Sequence, residues 1–150
     1  MIELTRLRLI HWHNFQDETI SFRNATYLIG VNAVGKTTIM DAIRYCLTTN
    51  KEFNTAGNQR SKRTLQGSVH GKQRGENLYL RPGRTVAYVG VEFFDHKENA
   101  PFVIVVRVES DSPTQELKQV AQDWFLTRHG IRLEDLQFLD ADRRPTTKEV

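Results

Sequence analysis

Residues 27–47 read YLIGVNAVGKTTIMDAIRYCL and carry the strongest signal in this chain. Within them, residues 30–37 match G-x-x-x-x-G-K-[ST], the spacing of a phosphate-binding loop, which lies between a strand and a helix. An apolar run over residues 25–29 predicts the strand. Apolar side chains between Ile39 and Leu47 recur at intervals of three and four residues, which predicts an amphipathic helix. The sequence therefore predicts a P-loop in the context that the motif requires.

Each residue type in this motif has a chemical reason. Glycine at positions 30 and 35 allows a close backbone approach, so that successive N–H groups converge on phosphate oxygens. The helix N-terminus that follows adds its dipole. Lys36 supplies a positive charge for the terminal phosphates, the Thr37 hydroxyl is the expected ligand of Mg²⁺, and Thr38 is a further donor. The predicted nucleotide-binding residues are Gly30, Asn32, Ala33, Val34, Gly35, Lys36, Thr37 and Thr38.

Strands are predicted on both sides of the P-loop. Residues 2–10 alternate apolar and polar side chains, and residues 19–22 form a second short strand. Downstream, residues 84–94 and 102–109 are rich in Val, Ile, Phe and Tyr, which predicts a hairpin. Residues 123–128 fit a strand as well as the end of a helix, and both alternatives stay open.

Composition limits the class of protein. The chain has 150 residues, of which 39% are hydrophobic and 26% charged, which suits one domain with a core and argues against disorder, collagen and coiled coil. The one cysteine, Cys46, excludes an internal disulfide and lies on the apolar helix face, where we expect a core residue. No apolar run approaches the roughly 20 residues that span a bilayer, so we expect a cytoplasmic protein with no membrane partner.

The charge is concentrated in one segment. The net charge is +3, but residues 51–84 alone carry eight basic and two acidic side chains. This basic insertion also contains five of the nine glycines. A concentrated positive charge favours an anionic partner, and DNA phosphates are the natural candidate, although a solvated loop would have the same composition.

The P-loop string, with the preceding strand and the Asn14-Phe15 pair, resembles the N-terminal lobe of ATPase heads of the SMC, Rad50 and RecF class. That class commonly has Asn two residues after the first glycine and an Asp-Ala-Ile-like helix, which correspond here to Asn32 and residues 41–43. Ala33 is closer to the RecF-like form than to the glycine of SMC proteins. Residues 44–75 resemble the JetC family, the condensin-like, MukB-related ATPase subunits of Wadjet plasmid-defence systems.

The resemblance implies an α/β fold: the N-terminal lobe of an ABC-type SMC head, a P-loop NTPase with an antiparallel β-subdomain. Residues 1–150 would then be the N-terminal half of a head, without its C-terminal lobe and coiled coil. It implies ATP and Mg²⁺ as ligands, a DNA motor in plasmid defence or chromosome maintenance as the function, and hydrolysis only after the head is completed. Implied partners are DNA, a second head, the C-terminal lobe of the same protein, a kleisin and accessory subunits. A RecF-like DNA-repair ATPase lobe and a self-contained P-loop module are the alternatives.

Further site residues also follow from the resemblance. Asn14 and Phe15 lie where the class contacts the nucleotide base, and Trp12 belongs to the same stretch, with plain edge-strand packing as the alternative. Arg60 and Arg63 lie where SMC heads carry an arginine loop that approaches nucleotide and DNA, with ordinary surface arginines as the alternative.

Two other features also have chemical interpretations. Glu92 and Asp95 are the nearest imitation of the Walker B carboxylates. Gln122 or Gln137 is the candidate Mg²⁺-sensing glutamine, and a glutamine after Val150 is the alternative. The histidines at 11 and 13 would point the same way on an extended chain, as half of a metal site.

Overall fold

The computed structural model describes residues 1–13, 15–23, 26–29, 36–49, 84–111, 121–142 and 144. The elements within them, in chain order, are β1 (Ile2–Trp12), β2 (Phe15–Ser21), α1 (Lys36–Thr48), β3 (Val86–Asp95), β4 (Ala100–Glu109), β5 (Ala121–Leu126) and a 3-10 turn (Leu133–Asp135). The strands form a sheet in the order β2-β1-β3-β4-β5, and every neighbouring pair is antiparallel.

The predicted hairpin is present as β3 and β4, and β3 is the central strand of this sheet. Its register runs without a shift from Val86 opposite Glu109 to Asp95 opposite Ala100. Successive side chains of a strand point to opposite faces, and both faces of this sheet are covered. Strand β3 is therefore apolar at nearly every position, and its first seven residues are buried.

Helix α1 covers one face of the sheet, here called the helix face. Its residues Ala42, Tyr45 and Cys46 are at most 2% exposed. They pack against side chains of three strands, β1, β3 and β4, which with the helix form the larger core cluster: Leu7, Leu9, Trp12, Ile39, Ala42, Tyr45, Cys46, Ala87, Val89, Val91, Val106 and Val108.

The opposite face, here called the turn face, is covered by residues 133–139. Leu133 and Phe138 pack there on β3, and the Phe138 ring meets Tyr88 edge-on at 5.3 Å. Gly90 makes this approach fit, because a Cβ at that position would lie 2.8 Å from Leu133 Cδ2 and 3.3 Å from Phe138 Cζ. The absence of a side chain at Gly90 therefore lets residues 133–139, here called the turn segment, lie directly on the sheet.

The prediction of a buried strand at residues 25–29 is wrong for residues 26–29, which lie outside every strand. Tyr27 is 82% and Ile29 90% exposed, whereas Leu28 packs against the core of the helix face. These residues are largely apolar, but they pair with no strand of the described ranges. An apolar strand is buried only where neighbours pair with it, and the sequence does not show those neighbours.

The remaining predicted strands are present with different bounds. The first two strands are longer than expected, because β1 continues to Trp12 and β2 already begins at Phe15. Of the open segment, residues 123–126 belong to a strand, β5, and residues 127 and 128 follow it. The predicted antiparallel sheet is confirmed. The described strands include no parallel pair, so the α/β layout of an ATPase head stays a prediction.

Candidate functional site

Lys36, Thr37 and Thr38 form the first turn of α1. No acidic side chain lies in that turn, so no carboxylate there offsets the partial positive charge of the helix N-terminus. Lys36 and Thr37 are half-buried, whereas Thr38 is only 7% exposed. The turn therefore leaves Lys36 and Thr37 partly accessible to a ligand and directs Thr38 towards the protein interior.

The structure places only part of the predicted site. Lys36, Thr37 and Thr38 are brought together, and Phe15 lies opposite Trp12 at the closed end of the β1–β2 pair. Trp12 itself is 2% exposed and belongs to the core, so this ring is used for packing and not for contact with a base. Residues 51–83 of the basic insertion lie outside the described ranges. So do the remaining predicted site residues: Asn14, Gly30, Asn32, Ala33, Val34, Gly35, Arg60 and Arg63.

Tyr45 anchors α1 to the sheet. Its ring stacks on Trp12, with centroids 5.7 Å apart and planes at 19°, and meets the edge of Trp124 at 5.5 Å and 67°. Its hydroxyl donates a hydrogen bond to the side-chain oxygen of Gln122 on β5. These contacts hold the second half of α1, and the helix carries Lys36 and Thr37 at its other end.

Cys46 is a core thiol, as predicted. Its Sγ lies 3.8 Å from the carbonyl oxygen of Val89 and 3.6 Å from that of Ile104. Burial raises the pKa of this thiol to about 12, so it stays protonated at neutral pH and is a poor nucleophile.

The buried face of α1 is rotated from the predicted one. Ile39, Ala42 and Cys46 face the sheet, but Leu47 is 46% exposed. Polar side chains lie in its place on the buried side, among them Asp41, which is 3% exposed. A count of apolar positions does not find such residues, because they carry no hydrophobic signal.

Glu92 is not placed to act on a ligand at α1, since it lies on the turn face. Its carboxylate accepts hydrogen bonds from Arg6 Nε at 3.0 Å, Thr5 Oγ1 at 2.9 Å and the Leu133 backbone N–H at 3.0 Å. Burial opposes its ionisation, but the hydrogen bonds from Arg6, Leu133 and Thr5 outweigh burial and lower the pKa of Glu92. Its interpretation as a Walker B carboxylate is therefore wrong: this side chain fastens the turn segment to the sheet.

Asp95 is used in the β3–β4 turn. Its Oδ1 accepts hydrogen bonds from the backbone N–H groups of Lys97 at 2.9 Å and Glu98 at 3.4 Å, and its Oδ2 lies 3.2 Å from His129 Nε2. These are the contacts of a turn-capping carboxylate.

The two candidate glutamines do not meet Thr37. Gln122 contacts Tyr45, which lies eight residues after Thr37 and thus about 12 Å further along the helix. Gln137 is exposed and belongs to the segment that covers the turn face, on the other side of the sheet from α1. Neither position supports the Mg²⁺-sensing assignment.

The histidine pair has a different geometry from the predicted one. His11 and His13 both have φ of 50°, so the backbone there is not extended and the side chains do not follow strand alternation. The described residues contain no group of three or more His, Cys, Asp or Glu side chains that could hold a metal ion. The helix of the described ranges is not long and apolar enough to cross a membrane.

Comparison with known proteins agrees with the P-loop assignment. Residues 4–60 match the family model described as the P-loop containing region of AAA domain. The match spans β1 from Leu4 onwards, β2, the glycine-rich motif and α1, and it supports a nucleotide-binding P-loop region in this part of the chain. No curated protein matches the chain.

Proposed function

We propose that the first turn of α1, with the glycine-rich motif before it, binds the phosphates of ATP together with Mg²⁺. One observation carries this proposal: Lys36 and Thr37 lie together at the N-terminus of a helix anchored on a sheet, inside the segment that matches a P-loop family model. Lys36 would neutralise the terminal phosphates, and the Thr37 hydroxyl would be a ligand of Mg²⁺.

Equilibrium binding of ATP to the Lys36→Ala variant tests the phosphate contact. Loss of a charge-assisted hydrogen bond costs about 1.5–3 kcal/mol, so we expect affinity to fall about tenfold to hundredfold. Lys97→Ala is the matched control, because it removes the same charge from an exposed position in the β3–β4 turn. Equal affinities of Lys36→Ala and the parent would reject the P-loop assignment.

The metal contact has its own test. Thr37→Ala removes the hydroxyl, whereas Thr37→Ser keeps it, so the dependence of ATP affinity on Mg²⁺ concentration should weaken only in Thr37→Ala. A Mg²⁺ dependence that is the same in both variants would contradict the assignment of Thr37 as a ligand.

For the wider role, we propose an ATP-binding lobe of an SMC-like DNA motor of the JetC type, which acts in plasmid defence. The support is the resemblance carried by Asn32, by residues 41–43 and by residues 44–75. DNA, a second head, a C-terminal lobe and a kleisin with accessory subunits belong to this proposal as partners. A RecF-like DNA-repair lobe is the alternative, favoured by Ala33.

A self-contained nucleotide enzyme is less well supported. Such an enzyme needs a carboxylate or an equivalent group beside the phosphates to orient the attacking group. Glu92 lies on the face of the sheet opposite α1, and Asp95 caps a turn. These two positions favour a lobe that is completed by another part of the protein.

A further inference from the structure

Tyr45 links the helix that carries Lys36 and Thr37 to the edge strand β5. Its side chain is wholly buried, and its hydroxyl donates a hydrogen bond to Gln122, 77 positions away in the chain. The contact is therefore a specific tertiary link between two elements that have no local connection.

Aromatic contacts hold Tyr45 on two sides. Trp12 stacks on its ring and Trp124 meets it edge-on, with both centroids within 5.7 Å. A ring enclosed in this way has little freedom to rotate. Close-packed side chains also transmit displacement to their neighbours. A shift of α1 would therefore move Gln122 and Trp124 with it.

Strand β5 is the element on which such a shift would have the largest effect. It is six residues long, and among the strands that the structure describes it pairs with β4 alone. Leu126 at its end is 71% exposed. Short edge strands open more easily than central strands, because fewer buried side chains and hydrogen bonds hold them in place.

We infer that Tyr45 and Gln122 couple the first turn of α1 to the order of β5, so that nucleotide binding tightens this edge of the sheet. The inference rests on the proposed function. Tyr45 acts here as a positioning residue, since it lies away from the predicted phosphate contacts. Coupling of this kind is reciprocal: whatever stabilises β5 raises nucleotide affinity by the same factor.

Amide hydrogen exchange over residues 121–126 tests the coupling, with and without ATP and Mg²⁺ and with bound nucleotide measured in the same samples. Tyr45→Phe keeps both ring contacts and removes the hydroxyl. Gln122→Met keeps the bulk but removes the acceptor, and Gln122→Glu keeps an acceptor oxygen. We expect ATP to slow exchange about fivefold or more in the parent and in Gln122→Glu. In Tyr45→Phe and Gln122→Met, most of this slowing should be absent.

Tyr88→Phe is the matched control, because Tyr88 is equally buried but lies on the turn face. A general loss of stability would reduce the ATP effect in both tyrosine variants. Slowing that persists in Tyr45→Phe, or that is lost equally in Tyr88→Phe, would overturn the coupling and leave nucleotide binding intact. A parent that binds no nucleotide would overturn the proposed function and this inference with it.

Discussion

Arg6 on β1 and Glu92 on β3 lie directly opposite each other and form an ion pair across the two strands. Glu92 is 1% exposed and Arg6 26%, so the carboxylate is buried while the guanidinium reaches the surface. The same carboxylate accepts the Leu133 N–H, and Arg6 also pairs with Glu134. One cross-strand pair thus holds the turn segment on the sheet.

Glu92→Gln should therefore destabilise the fold. The change removes the negative charge that pairs with Arg6 and accepts the hydrogen bond of the Leu133 N–H. We expect the free energy of unfolding to fall by about 1–3 kcal/mol. Glu134→Gln is the matched control, because that carboxylate is 57% exposed and exposed pairs contribute about 1 kcal/mol or less. Urea titrations of both variants measure the difference, and equal effects would contradict the central role of Glu92.

The same carboxylate makes stability depend on pH. Its pKa in the folded protein is lowered from the ordinary value of 4.5, so its contribution is complete above that value. It is lost as the pH falls below 4.5 through the lowered pKa, because the unfolded chain then binds the proton first. We expect the parent to lose more stability than Glu92→Gln between neutral pH and this acidic range. Parallel curves for the two proteins would show that Glu92 does not titrate in this way.

Gly90→Ala tests the contact between the turn segment and β3. The new Cβ would lie 2.8 Å from Leu133 Cδ2, and such overpacking typically costs about 1–3 kcal/mol. Leu133→Ala removes the opposing atoms, so its combination with Gly90→Ala should cost less than the sum of the two single changes. Strict additivity in a double-mutant cycle would mean that the two positions do not meet.

Local patterns in the sequence predict the elements of this fold better than the contacts between them. The β3–β4 hairpin and α1 follow from β-branched runs and helical spacing, which depend on neighbouring residues. Glu92 owes its role to hydrogen bonds from Thr5 and Arg6, which lie more than 80 positions earlier in the chain. The hydrogen bond from Tyr45 to Gln122 spans a similar distance in the sequence. No local pattern carries such information. The P-loop region could be predicted because its motif is a short local string of fixed residue types and spacing, whereas its phosphate contacts stay a prediction.

A change to the basic insertion should weaken DNA binding in a characteristic way. Basic side chains that bind phosphates release counterions, so the slope of log affinity against log salt falls by about 0.9 for each phosphate that is no longer neutralised. We expect reduced affinity for unrelated DNA sequences alike and a flatter salt dependence when four side chains are changed to Gln together: Lys62, Arg63, Lys72 and Arg74.

The control for this experiment removes exposed charge elsewhere. Arg23, Lys97 and Arg128 are exposed and lie outside the basic insertion, so their joint change to Gln should leave the salt slope close to that of the parent. An unchanged slope in the fourfold variant would identify the insertion as a solvated loop. An equal fall in both variants would indicate a general charge effect.

Residues 1–150 on their own should bind ATP without turning it over. A P-loop positions phosphates and metal, but hydrolysis also needs groups that orient water and stabilise the developing charge. The two carboxylates closest to a Walker B pattern are engaged elsewhere, Glu92 in the pair with Arg6 and Asp95 in the β3–β4 turn. Steady-state phosphate release should therefore equal that of Lys36→Ala. Turnover that needs Lys36 and disappears in Asp95→Asn, but not in an equally folded Lys97→Ala control, would instead identify a self-contained nucleotide enzyme.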